Sequence, residues 1–263
     1  MSDSTTTTLH SAIELLEAIE DDQVRLHYQA IFSVPSRRID SFEALLRWQH
    51  PEHGLLLPMS FLPADMDSGL GWVLTNFVLE EAVRACATWQ HAGIRAGVSV
   101  NVSPGRLADE FLPDHLAELL DRHELDAGWL TIEMTESRCD VDADDIRRAC
   151  AALAECGVRL SIDDFGTGEA TLTRLRHLQF DQVKIDRCFV AGAVSDATDR
   201  NIASFATDLA HSLGMTVVAE GVETSEMLDL VIDLGVDLVQ GFHLHRPREL
   251  EAHWRSPAPC HHG

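Results

Sequence analysis

Short apolar runs with strand-like alternation recur eight times along the chain, at residues 26–32, 42–48, 97–102, 130–135, 159–165, 182–185, 216–219 and 238–242. Between most of them the apolar positions switch to the spacing of amphipathic helices, clearest at 72–91, 116–123, 144–156, 201–213 and 225–234. A further helical stretch, 11–20, carries Ile13, Leu16 and Ile19 on one face. Gly93, Gly157, Gly214 and Gly235 each fall just after a helical run, where a left-handed residue closes a helix. Strand and helix alternating this often predict a parallel sheet, and eight units predict closure into a (β/α)8 barrel. An open doubly wound sheet is the alternative, but no GxGxxG opens any of the helices. The expected organisation is a polar tail with a short helix (1–24), one barrel domain (25–250) and a C-terminal tail (251–263). No attached sensor, receiver or cyclase unit is expected.

Polar residues interrupt this pattern at one end of the strands. Glu43 lies in the second, Asn101 ends the third, Glu133 and Glu136 end the fourth, and Asp163 with Asp164 closes the fifth. Lys184 lies in the sixth, Glu220 and Glu223 follow the seventh, and Gln240 is in the eighth. Any one of these has an ordinary structural explanation as a cap, a helix-start acid or a satisfied core amide. Seven strands each delivering one to the same end point instead to the face where barrel active sites form. Adjacent aspartates aimed at one place require the pleat to break, a break that Gly166 and Gly168 allow.

Composition sharpens the reading. The formal net charge of −23 excludes electrostatic binding to a DNA or RNA duplex. No apolar run approaches a membrane span, and the first residues lack the basic and apolar regions of a signal peptide, so a cytoplasmic protein is expected. The cysteines show no CxxC pairing, which predicts reduced thiols. Glu43, Glu133, Asp163, Asp164 and Glu220 in one cleft, opposed only by Lys184, leave about four negative charges uncompensated. Two divalent cations would cancel them, an arrangement suited to attack on a phosphate ester. Carboxylate and amide oxygens are hard ligands and favour Mg²⁺ or Mn²⁺ over Zn²⁺. Lys184 is the only lysine; every other cation is arginine. A compact ammonium fits beside crowded ligands where a planar guanidinium collides.

The runs 42–48 (FEALLRW), 100–103 (VNVS), 133–136 (EMTE), 163–168 (DDFGTG), 184–187 (KIDR), 218–224 (VAEGVET) and 240–242 (QGF) resemble the EAL-domain family of cyclic-di-GMP phosphodiesterases, which includes catalytically dead relatives. The likeness extends over about 26–247. It implies a modified TIM barrel whose first strand runs antiparallel, and hydrolysis of cyclic di-GMP to linear pGpG with Mg²⁺ or Mn²⁺; Ca²⁺, which prefers longer bonds and more ligands, is expected to inhibit. By the same resemblance Glu43, Asn101, Glu133 and Asp163 are ligands of one metal, and Asp163, Asp164 and Glu220 hold the second. Lys184 positions the attacking water and Glu220 accepts its proton. Glu136 holds the loop after Asp164, Glu223 supports the site and Gln240 bonds water or substrate. Arg47, Gln29 and Asp186 fall on the substrate side, and a homodimer is the protein partner that the family allows.

Three departures from the family stand out. Glu169-Ala170-Thr171 replaces Tyr-Ser-Ser, Ala30 replaces the proline of Tyr-Gln-Pro, and 63–69 differs from the family's Ala-Glu-rich segment. None removes a metal ligand. The alternatives to an enzyme are a receptor that binds cyclic di-GMP without cleaving it, and a protein-binding regulator on the same fold. His243 and His245 are expected as surface histidines. His50-Pro51 through Gly54 is expected as a turn shaping the loop over the site.

Overall fold

The computed structural model describes residues 12–63, 66, 69–134, 141–166 and 178–250. Its strands, in chain order, are β1 (Val24–Ser33), β2 (Ile39–His50), β3 (Gly54–Leu56), β4 (Gly97–Val102), β5 (Leu130–Met134), β6 (Arg159–Phe165), β7 (Gln182–Ile185), β8 (Thr216–Ala219) and β9 (Leu238–Val239). All but β3 pair into a closed ring in the order β1-β9-β8-β7-β6-β5-β4-β2, with β2 returning to β1. The expected eight-stranded barrel is therefore present. β1 runs antiparallel to both neighbours, while the remaining ring contacts are parallel.

β3 was not apparent in the sequence pattern. It is a short hairpin partner of β2 outside the ring, and the turn between them is the one signalled by His50-Pro51. His50 is buried and closes that turn, its Nδ1 accepting from the amides of Glu52 and His53. Its Nε2 reaches Glu14 on the first helix, so this turn faces the helix Ala12–Glu20.

The helices Gly69–His91, Leu112–Arg122, Ala143–Glu155, Ala197–Ser212 and Ser225–Asp233 cover the ring. Two begin four residues earlier than apolar spacing suggested, at Leu112 and Ala197, because their starts are set by capping chemistry. Pro113 sits in the first turn of one, and the Asp196 carboxylate accepts the Thr198 amide in the other. Gly93, Gly157, Gly214 and Gly235 adopt φ of 79°, 83°, 78° and 79°, the left-handed closure expected of them. Cys86, Cys150, Cys156 and Cys188 are free thiols, as expected.

The large apolar core lies between the outer faces of the strands and the helices. Inside the ring, strand alternation puts a second layer two residues below the polar strand ends. On β2, β4, β5, β6 and β7 that layer is Ser41, Ser99, Thr131, Ser161 and Gln182, all buried. On the adjoining β8, β9 and β1 it is apolar, Val218, Leu238 and Ile31, a separate small cluster.

The run 238–242 keeps ladder pairing only at Leu238 and Val239. The chain leaves the sheet because Gly241 lies against the backbone of Val222, where an added Cβ would stand 2.0 Å from the Val222 carbonyl oxygen. Gly241→Ala is accordingly expected to destabilise the fold by about 3 kcal/mol or more, read as a lowered midpoint in thermal or urea unfolding. An unchanged midpoint would show that this close approach is not required.

Candidate active site

Every strand of the ring sends a polar side chain to the same end. Gln29 comes from β1, Glu43 from β2, Asn101 from β4, Glu133 from β5, Asp163 and Asp164 from β6 and Lys184 from β7, while Glu220 and Gln240 immediately follow β8 and β9. Parallel register aligns them. Glu43 is opposite both Gln29 and Ser99, and Asn101 is opposite Glu133.

Lys184 is the centre of the group. It is 0% exposed, and its Nζ lies 2.6 Å from Glu220 Oε1, 2.9 Å from Glu133 Oε2, 3.4 Å from Asp163 Oδ1 and 3.5 Å from Glu43 Oε2. Glu43 is held from two further sides. Asn101 Nδ2 donates to its Oε1 at 2.8 Å and Gln240 Nε2 to its Oε2 at 2.7 Å. The same Gln240 Nε2 donates to Gln29 Oε1 at 3.3 Å.

One ammonium does not balance four carboxylates, and the proton affinities follow. Burial pushes Glu133 up to about 8, with the charges of Glu43 and Asp163 adding to it against the pull of Lys184. Burial likewise raises Glu220 well above the ordinary carboxylate range. Burial opposes ionisation of Glu43 too, but Lys184 and the hydrogen bonds from Gln240 and Asn101 bring it below its ordinary value. Lys184 is raised although burial alone would lower it, because Asp163, Glu133, Glu220 and Glu43 all surround it.

The break at the aspartate pair differs from expectation. It falls on Asp164 itself, at φ 55°, a conformation that aspartate tolerates better than most residues. The β6–β7 register shifts between Ile162 and Phe165, and the Asp164 amide donates to Asp163 Oδ1 at 3.0 Å. Gly166 follows at φ 99°, and Gly168 lies outside the described residues. The twist turns Asp164 toward the cluster, where oxygens of Asp163, Asp164 and Glu220 lie within 4.8 Å of one another. Burial and the charges of Asp163 and Asp186 raise Asp164 to about 6.

The remaining candidates are placed unevenly. Asp186 caps the helix Arg187–Gly192 through the Cys188 amide and also hydrogen-bonds the Asp164 carboxyl. Arg47 stands four residues beyond Glu43, about 13 Å further along the strand, with Nη1 on the Leu46 carbonyl. Glu223 is exposed and outside the contacts of Lys184; its amide donates to Met227 Sδ. Glu136, Glu169 and part of 63–69 lie outside the described residues. Sequence reasoning missed His245. His243 is exposed as expected, but His245 is buried, its Nδ1 accepting the Ala30 amide at 3.2 Å. The signal available was Ala30 itself, whose N–H requires an acceptor that proline would not.

The donors fit divalent cations. All are oxygens of carboxylates or an amide, and Glu133 Oε1 is a buried acceptor with no partner among the described residues. With Asn101 Nδ2 turned to Glu43, its carbonyl oxygen is left for a ligand.

A family model described as EAL domain matches residues 12–247. The chain belongs to the EAL domain family. Over 239 residues it is 38% identical to MucR of Pseudomonas aeruginosa, a bifunctional diguanylate cyclase/cyclic di-GMP phosphodiesterase, covering 90% of this chain and 35% of the relative. It is also 38% identical over 240 residues to the cyclic di-GMP phosphodiesterase NbdA of the same species, covering 91% and 31%. This EAL domain thus spans about a third of the length of these relatives. Its fold superposes on the solved PaMucR phosphodiesterase–c-di-GMP complex with a TM-score of 0.84 at 38% identity, over 90% of this chain and 96% of that one. No helix among the described residues of the EAL domain is long and apolar enough to cross a membrane.

The raised carboxyls set a pH dependence. Between about pH 4.5 and 8 the folded chain holds protons on Glu133 that the unfolded chain releases, so stability falls as pH rises through that window. In excess chelator, the thermal midpoint is expected to drop by several degrees from pH 5.5 to 8.5. A Glu133→Gln variant should flatten the drop; an equal drop in that variant would assign it elsewhere.

Proposed function

We propose that this EAL domain is a metal-dependent phosphodiesterase that hydrolyses cyclic di-GMP to linear pGpG. The observation carrying the proposal is the full acidic set, Glu43, Glu133, Asp163, Asp164 and Glu220, gathered with Asn101 around one buried lysine. The names of its relatives support the same substrate. A receptor or a protein-binding regulator has no need of five acids concentrated at a barrel mouth. Residues 25–250 carry the activity in this reading. It also puts the domain in the cytoplasm, with a second copy of the chain as the partner.

Glu43, Asn101, Glu133 and Asp163 would hold one Mg²⁺ or Mn²⁺, and Asp163, Asp164 and Glu220 the other. When bound, the cations supply Lewis-acid stabilisation of charge on the phosphate oxygens. Lys184 donates to the attacking water and fixes its approach to phosphorus. Glu220, the carboxylate nearest that ammonium, takes the water's proton. The water oxygen bonds to phosphorus and the bond from phosphorus to the ribose 3′-oxygen breaks, that oxygen gaining a proton. One 5′-phosphate and one intact phosphodiester remain, which is pGpG. Gln240 and Gln29 orient groups at the reacting phosphate, and Arg47 and Asp186 lie where the rest of the nucleotide is held. Glu136 and Glu223 support the adjoining loops.

Purified protein incubated with cyclic di-GMP and Mg²⁺ is expected to yield pGpG on chromatography. Excess EDTA should abolish the product, and Ca²⁺, which prefers longer bonds and more ligands, should suppress it. Binding without product would favour the receptor reading, and turnover in EDTA would remove the metal.

Lys184→Arg keeps the charge but spreads its donors over a plane that the packed carboxylates do not accommodate. It should lose about 100-fold or more in turnover, while cyclic di-GMP affinity measured in Ca²⁺ stays within a few-fold. Near-normal turnover would move the water-positioning role to another group.

A further inference from the structure

The amides of Tyr28, Ala30 and Phe32 face the same side of β1, toward the end of the chain that closes the ring. Phe32 is paired there with Val239 in the ladder. Tyr28 is paired by an isolated antiparallel bridge to Arg248, its N–H donating to the Arg248 carbonyl at 2.7 Å and the Arg248 N–H returning at 3.2 Å. Between these rungs the chain has turned away at Gly241, and among the described residues the Ala30 amide is taken by a side chain instead of a backbone carbonyl. The imidazole of His245 fills the missing rung, Nδ1 accepting the Ala30 amide at 3.2 Å. Burial, and then the charge of Arg248, pull that imidazole down to about 4, which keeps Nδ1 an acceptor near neutrality.

The backbone of the same residue carries the consequence into the site. Gln29 Nε2 donates to the His245 carbonyl at 3.1 Å. A side-chain amide has one oxygen and one NH2, so fixing one end fixes the other. Gln29 Oε1 is thereby turned to accept from Gln240 Nε2 at 3.3 Å, and that nitrogen also donates to Glu43 Oε2 at 2.7 Å. Gln240 Oε1 is left buried with no hydrogen-bond partner among the described residues. We propose that His245 is a positioning residue, which completes the seam of the barrel at Ala30 and through its carbonyl orients Gln29 and Gln240 toward Glu43. Ala30 carries a buried N–H that needs an acceptor and the His245 imidazole supplies it, so the two form a matched pair.

The catalytic consequence rests on the reading of the site as a cyclic di-GMP phosphodiesterase; the seam itself does not. The test is a double-mutant cycle on the full chain with Ala30→Pro, His245→Phe and the two combined. Phenylalanine keeps the ring and removes the acceptor, and proline removes the donor. The thermal midpoint is measured in chelator, cyclic di-GMP affinity by calorimetry in Ca²⁺, and kcat and KM in Mg²⁺. His245→Phe is expected to lower the midpoint by about 5 °C and to weaken nucleotide affinity about tenfold. The double variant should recover most of both, a coupling that a general packing defect does not produce.

Additive losses, or an unaltered His245→Phe, would overturn the proposal. Coupling in stability with flat nucleotide affinity would reduce His245 to a seam residue and overturn its positioning role. Should His245→Phe not fold, His245→Asn puts an acceptor oxygen near the Nδ1 position. Near-normal midpoint and affinity then support the pairing, and their loss overturns it. If the unaltered protein binds no cyclic di-GMP, the functional reading fails, and the stability cycle still decides whether the seam exists.

Discussion

A buried ammonium is stable only where anions replace the water it has lost, and Lys184 has four carboxylates within 3.5 Å. The dependence is mutual. Glu43, Glu133, Asp163 and Glu220 could not share so small a volume as free anions, and the single cation offsets part of their repulsion. Burial, and after it the repulsion that this cation leaves over, raises the proton affinity of Glu133 and Glu220 and, beside them, of Asp164. Protons are thus the stand-in for the positive charge the site calls for. Divalent cations held by the same oxygens would compete with those protons, which would tie metal affinity to pH.

Bringing those groups together depends on closure of the ring. The carboxylates come from β2, β5, β6 and the end of β8, and the ammonium from β7. Closure is achieved by a first strand that runs antiparallel to both neighbours, with a short ladder to β9. The polar half of the interior, Ser41 through Gln182, lies below the metal-ligand candidates, and the apolar half, Ile31, Val218 and Leu238, lies around the seam. The seam thus combines a small apolar cluster with hydrogen bonds contributed by the segment after β9. Gly241 releases that segment from the sheet and His245 returns it to β1. The Gln29–Gln240–Glu43 string hangs on this junction, so the two-pair ladder between β1 and β9 lies beside the site.

Much of this was legible because it is local. Period-two and helical spacing set strand and helix, and the residues that follow each helix set its end; Gly93, Gly157, Gly214 and Gly235 behave as their positions implied. The strand-end polar groups could be read together because alternation gives them the same facing on successive strands. Lys184 stood out by composition alone. Less local features were not legible. The break at the aspartates was expected of the glycines and is carried by Asp164, since the strain falls where β6 loses register with β7. Glu223 shares a sequence motif with Glu220, yet three residues suffice to turn it out to solvent.

Side-chain type and spacing along the chain carry the repeating units, the chemistry at their ends and the excess of negative charge there. What those units meet is a property of the folded barrel. The reversed direction of β1, the contact of Gly241 with Val222 and the burial of His245 against Ala30 each join segments far apart in the chain. Such contacts form when long-range closure removes water from a particular pair of surfaces, and no local periodicity encodes which pair that will be. His245 illustrates the difference. Beside Arg246 and Pro247 it has the composition of an exposed turn, and only the missing rung opposite Ala30 makes it part of the barrel wall.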